Sequence, residues 1–367
     1  MQRTPRLLFM ASLALLLATP VQAWIRSPAT TFATLPSGAT PPEGITVDKA
    51  GDVYVSTFGF PEGGPAANPG QIVVFDSHGN LLRQFPVATA SPHLLGLAFH
   101  PTTNALLVLD FGHGEVLDVD PTDGALVGIF ADIAGAACSA FPADCTSPNG
   151  VGLNGLTFDA AGNVYVSDSF NGVIWQIPPG GGSAVPWIQD SLLTTTGKPP
   201  FGANGLAFNS SGDTLFVANT GDDSVVKIPV ANGMPGGPTV LAYSINGADG
   251  LIIDGDDNLW VAANQSDEIV VLDPAGKAIA KLGDFEGIDN QGAAKGLLFP
   301  ASLVFSGNFV LVTNLVLDTR PFGFSTLDTG WTTEVTRYTV SKINRTLPPI
   351  SPDSSAPGHG PPGGHGR

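Results

Sequence analysis

One short motif recurs along the chain and places oxygen-bearing side chains at equivalent positions. Each full copy has a polar residue, then Gly, then a short apolar strand that ends in Asp or Asn. We call the position before the glycine the slot, and in four copies it holds Glu43, Asn154, Asn204 and Asp249. Two carboxylates and two amides form an all-oxygen set, which hard divalent cations such as Ca²⁺ prefer. The absence of histidine and cysteine from these slots argues against a dedicated zinc or copper site.

A purely structural explanation of the same residues stays open. Asn-Gly and Asp-Gly are frequent turn dipeptides, and a repeat duplicates its turns whether or not a ligand binds. Glu43 favours the metal interpretation, because glutamate is a poor turn residue. His93 is the only histidine near the expected site, where it could act as a proton shuttle near its ordinary pKa of about 6.5. An ordinary loop histidine is the alternative.

The spacing of the motif predicts a β-propeller. Degenerate copies begin at Leu95-Gly96 and Ala301-Ser302, so six copies start roughly 50 residues apart, and each can supply four short strands. In the third copy, strand-like segments 156–158, 164–167 and 173–177 are separated by turns rich in Asp, Asn and Gly. We therefore predict an all-β protein, a six-bladed β-propeller of four-stranded antiparallel blades around a central channel. The inner strands would bring the slots to one mouth of that channel.

Closing the ring requires one strand from outside the sixth copy. Blade six is expected to run from Ala301 through segment 309–313 to segment 333–340. The spare strand-like segment 31–35, which precedes blade one, could supply the missing strand. We expect this closure because an exposed sheet edge invites aggregation.

The two ends of the chain have compositions unlike the repeats. Residues 1–23 carry an early basic pair, an apolar stretch at 7–18 and a small-residue cleavage pattern at 21–23, which predicts a signal peptide and a secreted or periplasmic protein. The propeller is expected over residues 24–347, and the Pro/Gly/His-rich residues 348–367 predict a disordered tail. Outside the cytoplasm, Cys138 and Cys145 are expected to form a disulfide within one loop.

Charge and composition limit the partners. The formal net charge is −17 with only 15 Lys and Arg, which disfavours binding to nucleic acid or to an anionic membrane surface. Charged residues make up 13% of the chain and hydrophobic residues 43%, as expected for a folded protein with a large core. We expect a monomer that acts on a small molecule and does not insert into a membrane.

Three segments of the sequence resemble the SMP-30/gluconolactonase/LRE-like family. They are the opening Pro42-Glu43-Gly44, the run from Asn154-Gly155-Leu156 to residues 165–169, and Asp249-Gly250-Leu251. The chain is also similar to the related paraoxonases and the squid-type phosphotriesterase, which are six-bladed propellers with a catalytic divalent metal, usually calcium. The resemblance implies that Glu43, Asn154, Asn204 and Asp249 bind the metal. It further implies that Asp249 acts as general base or nucleophile in the hydrolysis of a lactone, ester or phosphoester.

The chain departs from that family at two slots. Sugar-lactone members place an Arg and a polar residue in the second blade, whereas this chain has Leu95 and no Arg, and blade six has Ala301 without a histidine. These departures favour a more apolar lactone or ester. Two alternatives stay open: a non-catalytic NHL-like propeller that binds a protein or glycan, and a streptogramin-lyase-like propeller with Mg²⁺ and a histidine base.

Overall fold

The computed structural model describes residues 27–59, 69–133, 150–320 and 329–347. The predicted signal peptide, the predicted disulfide between Cys138 and Cys145, and the predicted tail lie outside these ranges. Within them, no helix has the length and apolar character needed to cross a bilayer. The helical segments that lie wholly within the described ranges are two single 3₁₀ turns, Ser191–Leu193 and Asn264–Ser266, and the short α1 (Thr329–Thr332).

Strands account for most of the described chain. The first half contains β1 (Thr30–Thr34), β2 (Pro42–Val47), β3 (Val53–Thr57), β4 (Gln71–Phe75), β5 (Leu81–Pro86), β6 (Leu94–Phe99), β7 (Leu106–Asp110), β8 (Glu115–Val119), β9 (Leu126–Asp132), β10 (Leu153–Phe158), β11 (Val164–Asp168), β12 (Val173–Ile177) and β13 (Val185–Gln189). The second half contains β14 (Ala203–Phe208), β15 (Thr214–Asn219), β16 (Ser224–Ala231), β17 (Met234–Pro235), β18 (Thr239–Tyr243), β19 (Ala248–Ile253), β20 (Leu259–Ala263), β21 (Glu268–Leu272), β22 (Ala278–Leu282), β23 (Phe285–Ile288), β24 (Ala294–Gly296), β25 (Pro300–Ser306), β26 (Phe309–Asn314) and β27 (Thr339–Asn344).

These strands form six four-stranded antiparallel blades, which confirms the predicted six-bladed β-propeller. Blades one, two, three and five each use four consecutive strands, starting at β2, β6, β10 and β19. Blade four uses β14, β15, β16 and β18, with the short β17 also paired to β16. Blade six has the order β25-β26-β27-β1, and the separate hairpin β23-β24 lies between blades five and six in sequence.

The N-terminal strand completes blade six, as the sequence predicted. β1 pairs antiparallel with β27, with Thr31 opposite Ser341 and Ala33 opposite Val340. The expected third strand at 333–340 was wrong in its bounds, because the strand is Thr339–Asn344. Val335 packs instead with Leu298 in a small cluster that includes Phe285 of the β23-β24 hairpin.

The core is divided among the contacts between neighbouring blades. Six buried apolar clusters lie between successive blades, and one of them joins blades six and one through Ala33, Val340 and Val55. Blades covered on both faces explain why the inner and second strands read as nearly continuous apolar runs. This packing holds all six inner strands around one axis, where the slots can meet.

Candidate functional site

Every inner strand has an irregularity at its slot. In all six blades the register between the inner and second strands shifts across the slot and the following residue, for example between Leu153 and Leu156 and between Ala248 and Leu251. Such bulges bend a strand and redirect a side chain. The repeated bulge therefore gives the slot side chains a common orientation that a regular strand would not provide.

The glycine after the slot is required by close packing between blades. A β-carbon on Gly44, Gly155, Gly205 or Gly250 would come within 3.0 Å of the carbonyl oxygen of the slot residue in the next blade. These glycines lie inside strands, and none has a positive φ. The Asn-Gly and Asp-Gly pairs are therefore not turns, and the turn interpretation is wrong. The glycine instead lets neighbouring inner strands approach each other at the slots.

The four polar slot residues line one cavity at the mouth of the propeller. Glu43, Asn154, Asn204 and Asp249 are 4 to 6% exposed and border the same space of about 40 Å³. A space of this size exceeds what a single water molecule needs. The structure thus brings together residues that are scattered over some 200 positions of the sequence.

The two carboxylates in this cavity lack hydrogen bonds at one oxygen each. Glu43 Oε2 and Asp249 Oδ1 are buried, and among the described residues neither atom has a hydrogen-bond partner. Burial raises the pKa of Glu43 well above its ordinary value, and the nearby Asp249 raises it further. Burial also raises the pKa of Asp249 to about 7, against the lowering effect of hydrogen bonds from Asn264 and Asn204. Two charged groups so placed are costly unless a cation compensates them.

Hydrogen bonds fix how the amide of Asn204 is turned. The hydroxyl of Thr220 donates its only proton to the carbonyl of Ala248 at 2.7 Å. It must therefore accept from Asn204, whose Nδ2 lies 2.9 Å away. The amide oxygen of Asn204 is left free of that contact and available to a ligand.

Asn264 is a site residue that the sequence interpretation missed. Its Nδ2 donates to Asp249 Oδ2 at 3.0 Å, and the residue lines the cavity. The side chains that end the second strands of blades three and four bond to the backbone instead: Asp168 accepts from the N–H of Gly152 at 2.9 Å, and Asn219 Nδ2 donates to the Leu192 carbonyl at 2.9 Å. One signal could have distinguished Asn264, because the four residues after it include no glycine, whereas Gly172 follows Asp168 by four residues and Gly221 follows Asn219 by two.

An apolar wall surrounds the polar group. The remaining cavity residues are Phe58, Leu95, Phe111, Pro199, Phe201, Phe299, Leu315 and Leu317, together with the Thr220 and Asn264 already described. The two apolar slots flank the blade of Glu43 on either side: Leu95 lines the cavity, and Ala301 packs in the same buried cluster as Leu95. Of the polar slot residues, Asn154, Asn204 and Asp249 belong to blades three to five and Glu43 belongs to blade one, whereas most of the apolar side chains lie over blades six, one and two.

His93 does not line this cavity. Its ring packs against Phe58 and Phe111, with centroid distances of 5.3 and 6.5 Å, and these two phenylalanines do face the cavity. Burial lowers the pKa of His93 to about 4. Its role as a proton shuttle stays a prediction, and the geometry favours a packing role.

A second group of possible metal ligands lies in the turn after β7. Ligand atoms of Asp110, His113 and Glu115 lie within 4.8 Å of one another. Asp110 Oδ2 already accepts from His113 Nδ1 at 3.0 Å and from the backbone N–H of Ser91 at 2.8 Å. Its Oδ1 accepts from the Ser91 hydroxyl and from the backbone N–H of His113. These contacts account for the arrangement without an ion.

Residues 180–283 match the model of the SMP-30/gluconolactonase/LRE-like region. This match confirms the family resemblance seen in the sequence, and the matched segment carries Asn204 and Asp249. No curated protein matches the chain in sequence.

Three solved structures are similar to the chain over most of its length. A calcium-binding regucalcin from Agrobacterium tumefaciens is 15% identical, with a TM-score of 0.59 over 88% of this chain and 97% of that one. A gluconolactonase from Xanthomonas campestris is 14% identical, with a TM-score of 0.57 over 90% and 99%. A luciferin-regenerating enzyme is also 14% identical, with a TM-score of 0.60 over 87% and 95%. At these identities the likeness shows a shared fold.

Proposed function

We propose that this protein is a divalent-metal-dependent hydrolase of lactones or esters that acts outside the cytoplasm, in secreted or periplasmic form. The observation that carries the proposal is the pair of buried carboxylate oxygens, on Glu43 and Asp249, that face one cavity without hydrogen-bond partners among the described residues. The family match over residues 180–283 supports the reaction class. The calcium-binding regucalcin of the same fold supports Ca²⁺ as the metal.

The donor set fits such an ion. Glu43 and Asp249 supply two negative charges, and Asn154 and Asn204 are placed to supply neutral amide oxygens. Ca²⁺ takes six to eight oxygen ligands, so these four would leave positions for water and substrate. A bound Ca²⁺ would act as a Lewis acid on the carbonyl oxygen of the substrate.

The chain itself positions the reacting groups. Asn264 donates to Asp249 Oδ2, so the carboxylate keeps a fixed orientation and Oδ1, which has no hydrogen-bond partner among the described residues, stays available to a cation. We assign the proton transfer from the attacking water to Asp249, in line with the family resemblance. The apolar wall of Phe58, Phe111 and Phe299 restricts water around the carbonyl group. We propose that the protein works as a monomer, since all of these residues belong to one chain.

Calcium dependence of hydrolysis tests the proposal. The purified protein should bind calcium, hydrolyse lactones or aryl esters, and lose activity when a chelator is added. Asp249→Asn should lower kcat/KM by roughly 1,000-fold, because a metal ligand and the proposed base are lost together. The matched control is Asp256→Asn, an exposed acid in the turn at the far end of the same inner strand, which should keep full activity. A calcium-loaded protein that is inert toward all these substrates would refute the proposal.

A further inference from the structure

The apolar side of the cavity is built partly on backbone in an unfavourable conformation. Two residues of the backbone that carries this wall have angles that L-residues rarely adopt. Phe299, just before β25, has φ +47°, and Val316, just after β26, has φ +52°. A positive φ is a particular outlier for a bulky or β-branched side chain. Such strain persists only where the surrounding structure enforces it, and it concentrates at functional sites.

Specific contacts hold these two strained residues in place. The backbone N–H of Phe299 donates to Asp267 Oδ1 at 2.7 Å, and the carbonyl of Phe299 accepts from the N–H of Leu315 at 3.1 Å. The side chains of Phe299, Leu315 and Leu317 consequently face the cavity, while Val316 packs into a separate cluster on the other side of the segment. The strained backbone thus presents three apolar side chains to the ligand space.

A row of four aromatic rings packs in the same buried cluster as this surface. Ring centroids are 5.8 Å apart for Phe58 and Phe111, 5.8 Å for Phe111 and Phe170, and 5.4 Å for Phe170 and Phe201. Phe111 is fully buried, whereas Phe170 and Phe201 are half-buried. Among the described residues that line the cavity, only Glu43, Asn154, Asn204, Thr220, Asp249 and Asn264 carry polar side chains.

The polar side chains leave little capacity for a substrate rich in hydroxyl groups. Thr220 is occupied by Ala248 and Asn204, and Asn264 Nδ2 is occupied by Asp249. Apart from the four proposed metal ligands, Asn264 Oδ1 is the buried acceptor that these residues leave without a partner among the described residues. A sugar lactone would place several hydroxyl groups against phenylalanine and leucine, where each unpaired hydroxyl costs binding free energy. An alkyl or aryl group would instead replace water against that wall.

We infer that the site selects lactones or esters whose side group is alkyl or aryl, with that group held by Phe299, Leu315, Leu317 and Leu95 over blades six, one and two. This inference rests on the proposed hydrolase function and specifies its substrate class. Leu315 and Leu317 determine specificity, and they do not touch the reacting atoms.

A series of γ-lactones with side chains from methyl to octyl, measured beside gluconolactone, tests the inference in the calcium-loaded full chain. The value of kcat/KM should rise about two- to fourfold per methylene until the wall is covered. Gluconolactone should react at least about 100-fold more slowly than the best alkyl lactone. Leu317→Ala should reduce the ratio of octyl to methyl lactone roughly fivefold. Leu117→Ala, a buried leucine between blades one and two, should leave that ratio unchanged.

The outcomes separate this inference from the proposed function. If gluconolactone reacts faster than every alkyl lactone, the apolar class is overturned and the hydrolase remains. If nothing is hydrolysed, the proposed function fails, and calorimetry with hydrolytically stable alkyl lactams then decides the inference. An affinity that grows with alkyl length and declines in Leu317→Ala would support the apolar class, and an affinity that is independent of length would overturn it.

Discussion

Two kinds of buried acid lie at the same end of the propeller blades. Asp110 and Asp168 end the second strands of blades two and three, opposite the residue just before each slot. Glu43 and Asp249 occupy slots themselves. All four side chains are buried, yet Asp110 and Asp168 accept several hydrogen bonds, whereas Glu43 and Asp249 each keep an oxygen without a partner among the described residues.

The pKa values follow the number of partners. Burial raises the pKa of Asp110, but hydrogen bonds from His113 and Ser91 outweigh it and hold that pKa below its ordinary value. For Asp249, burial dominates and the pKa rises to about 7. Burial alone therefore does not mark a ligand. A buried acid with donors at both oxygens closes a turn, while one that keeps an oxygen without a donor among the described residues has room for a cation.

The largest expected effect is the pH dependence of stability without calcium. The folded-state pKa of Asp249 lies above its unfolded value of 3.8, so folding takes up a proton between pH 4 and 7, and the free energy of unfolding falls as the pH rises through that window. The loss is on the order of 4 kcal/mol. Chemical denaturation in the presence of a chelator gives the free energy of unfolding of wild type and of Asp249→Asn at pH 4 and at pH 7. The difference between the two proteins should change by this amount between the two pH values.

Two features of that experiment serve as controls. The difference from the variant is needed because His93, whose pKa is lowered to about 4, acts in the opposite direction: it costs stability as the pH falls from 6.5. Added calcium should restore the stability of the wild type at pH 7 and leave Asp249→Asn nearly unchanged. If wild type and Asp249→Asn differ in free energy of unfolding by the same amount at both pH values, the pKa of Asp249 is not raised in the folded protein.

A smaller effect is expected at Asp110. Asp110→Asn should lower the free energy of unfolding by about 3 kcal/mol, because an amide nitrogen would face the donors of Ser91 and His113. Glu43→Gln, without calcium, should leave that free energy unchanged or raise it, since burial already disfavours the charged form of this acid and glutamine is neutral. Urea titrations of both variants check the contrast. A destabilisation of the same size at both positions would remove the distinction between the two kinds of acid.

His93 should have the smallest effect on activity. Its ring lies behind Phe58 and Phe111, so His93→Gln is expected to change kcat/KM by less than about threefold. Steady-state kinetics between pH 6 and 9 would show this. A loss of 100-fold or more would instead support the proton-shuttle prediction for His93.

Repetition made most of the fold predictable. Six copies of one motif define the inner strands, and the spare segment 31–35 correctly predicted the closing strand Thr30–Thr34. The bounds of β27 were not predictable from alternation alone, because Val335 packs into a tertiary cluster and not into the sheet. The hairpin β23-β24 belongs to no repeat, so the motif gave no signal for it.

The polar residues of the site were more predictable than its wall. The slots identified Glu43, Asn154, Asn204 and Asp249, but the sequence could not show that Asn264 reaches Asp249, since that contact depends on the bulge. The wall had a partial signal: Phe58, Phe111 and Phe170 each follow a second strand by one or two residues in blades one to three. Phe299 and Leu317 come from irregular backbone, which no repeat predicts.

Calcium binding to three forms of the protein tests the central claim most directly. Isothermal titration calorimetry should show one calcium per chain in the wild type and in Asp110→Asn. Binding should be at least about 100-fold weaker in Glu43→Gln, which keeps the shape of the slot but loses a charged ligand. Calcium binding that survives in Glu43→Gln and disappears in Asp110→Asn would place the ion in the blade-two turn and contradict the account.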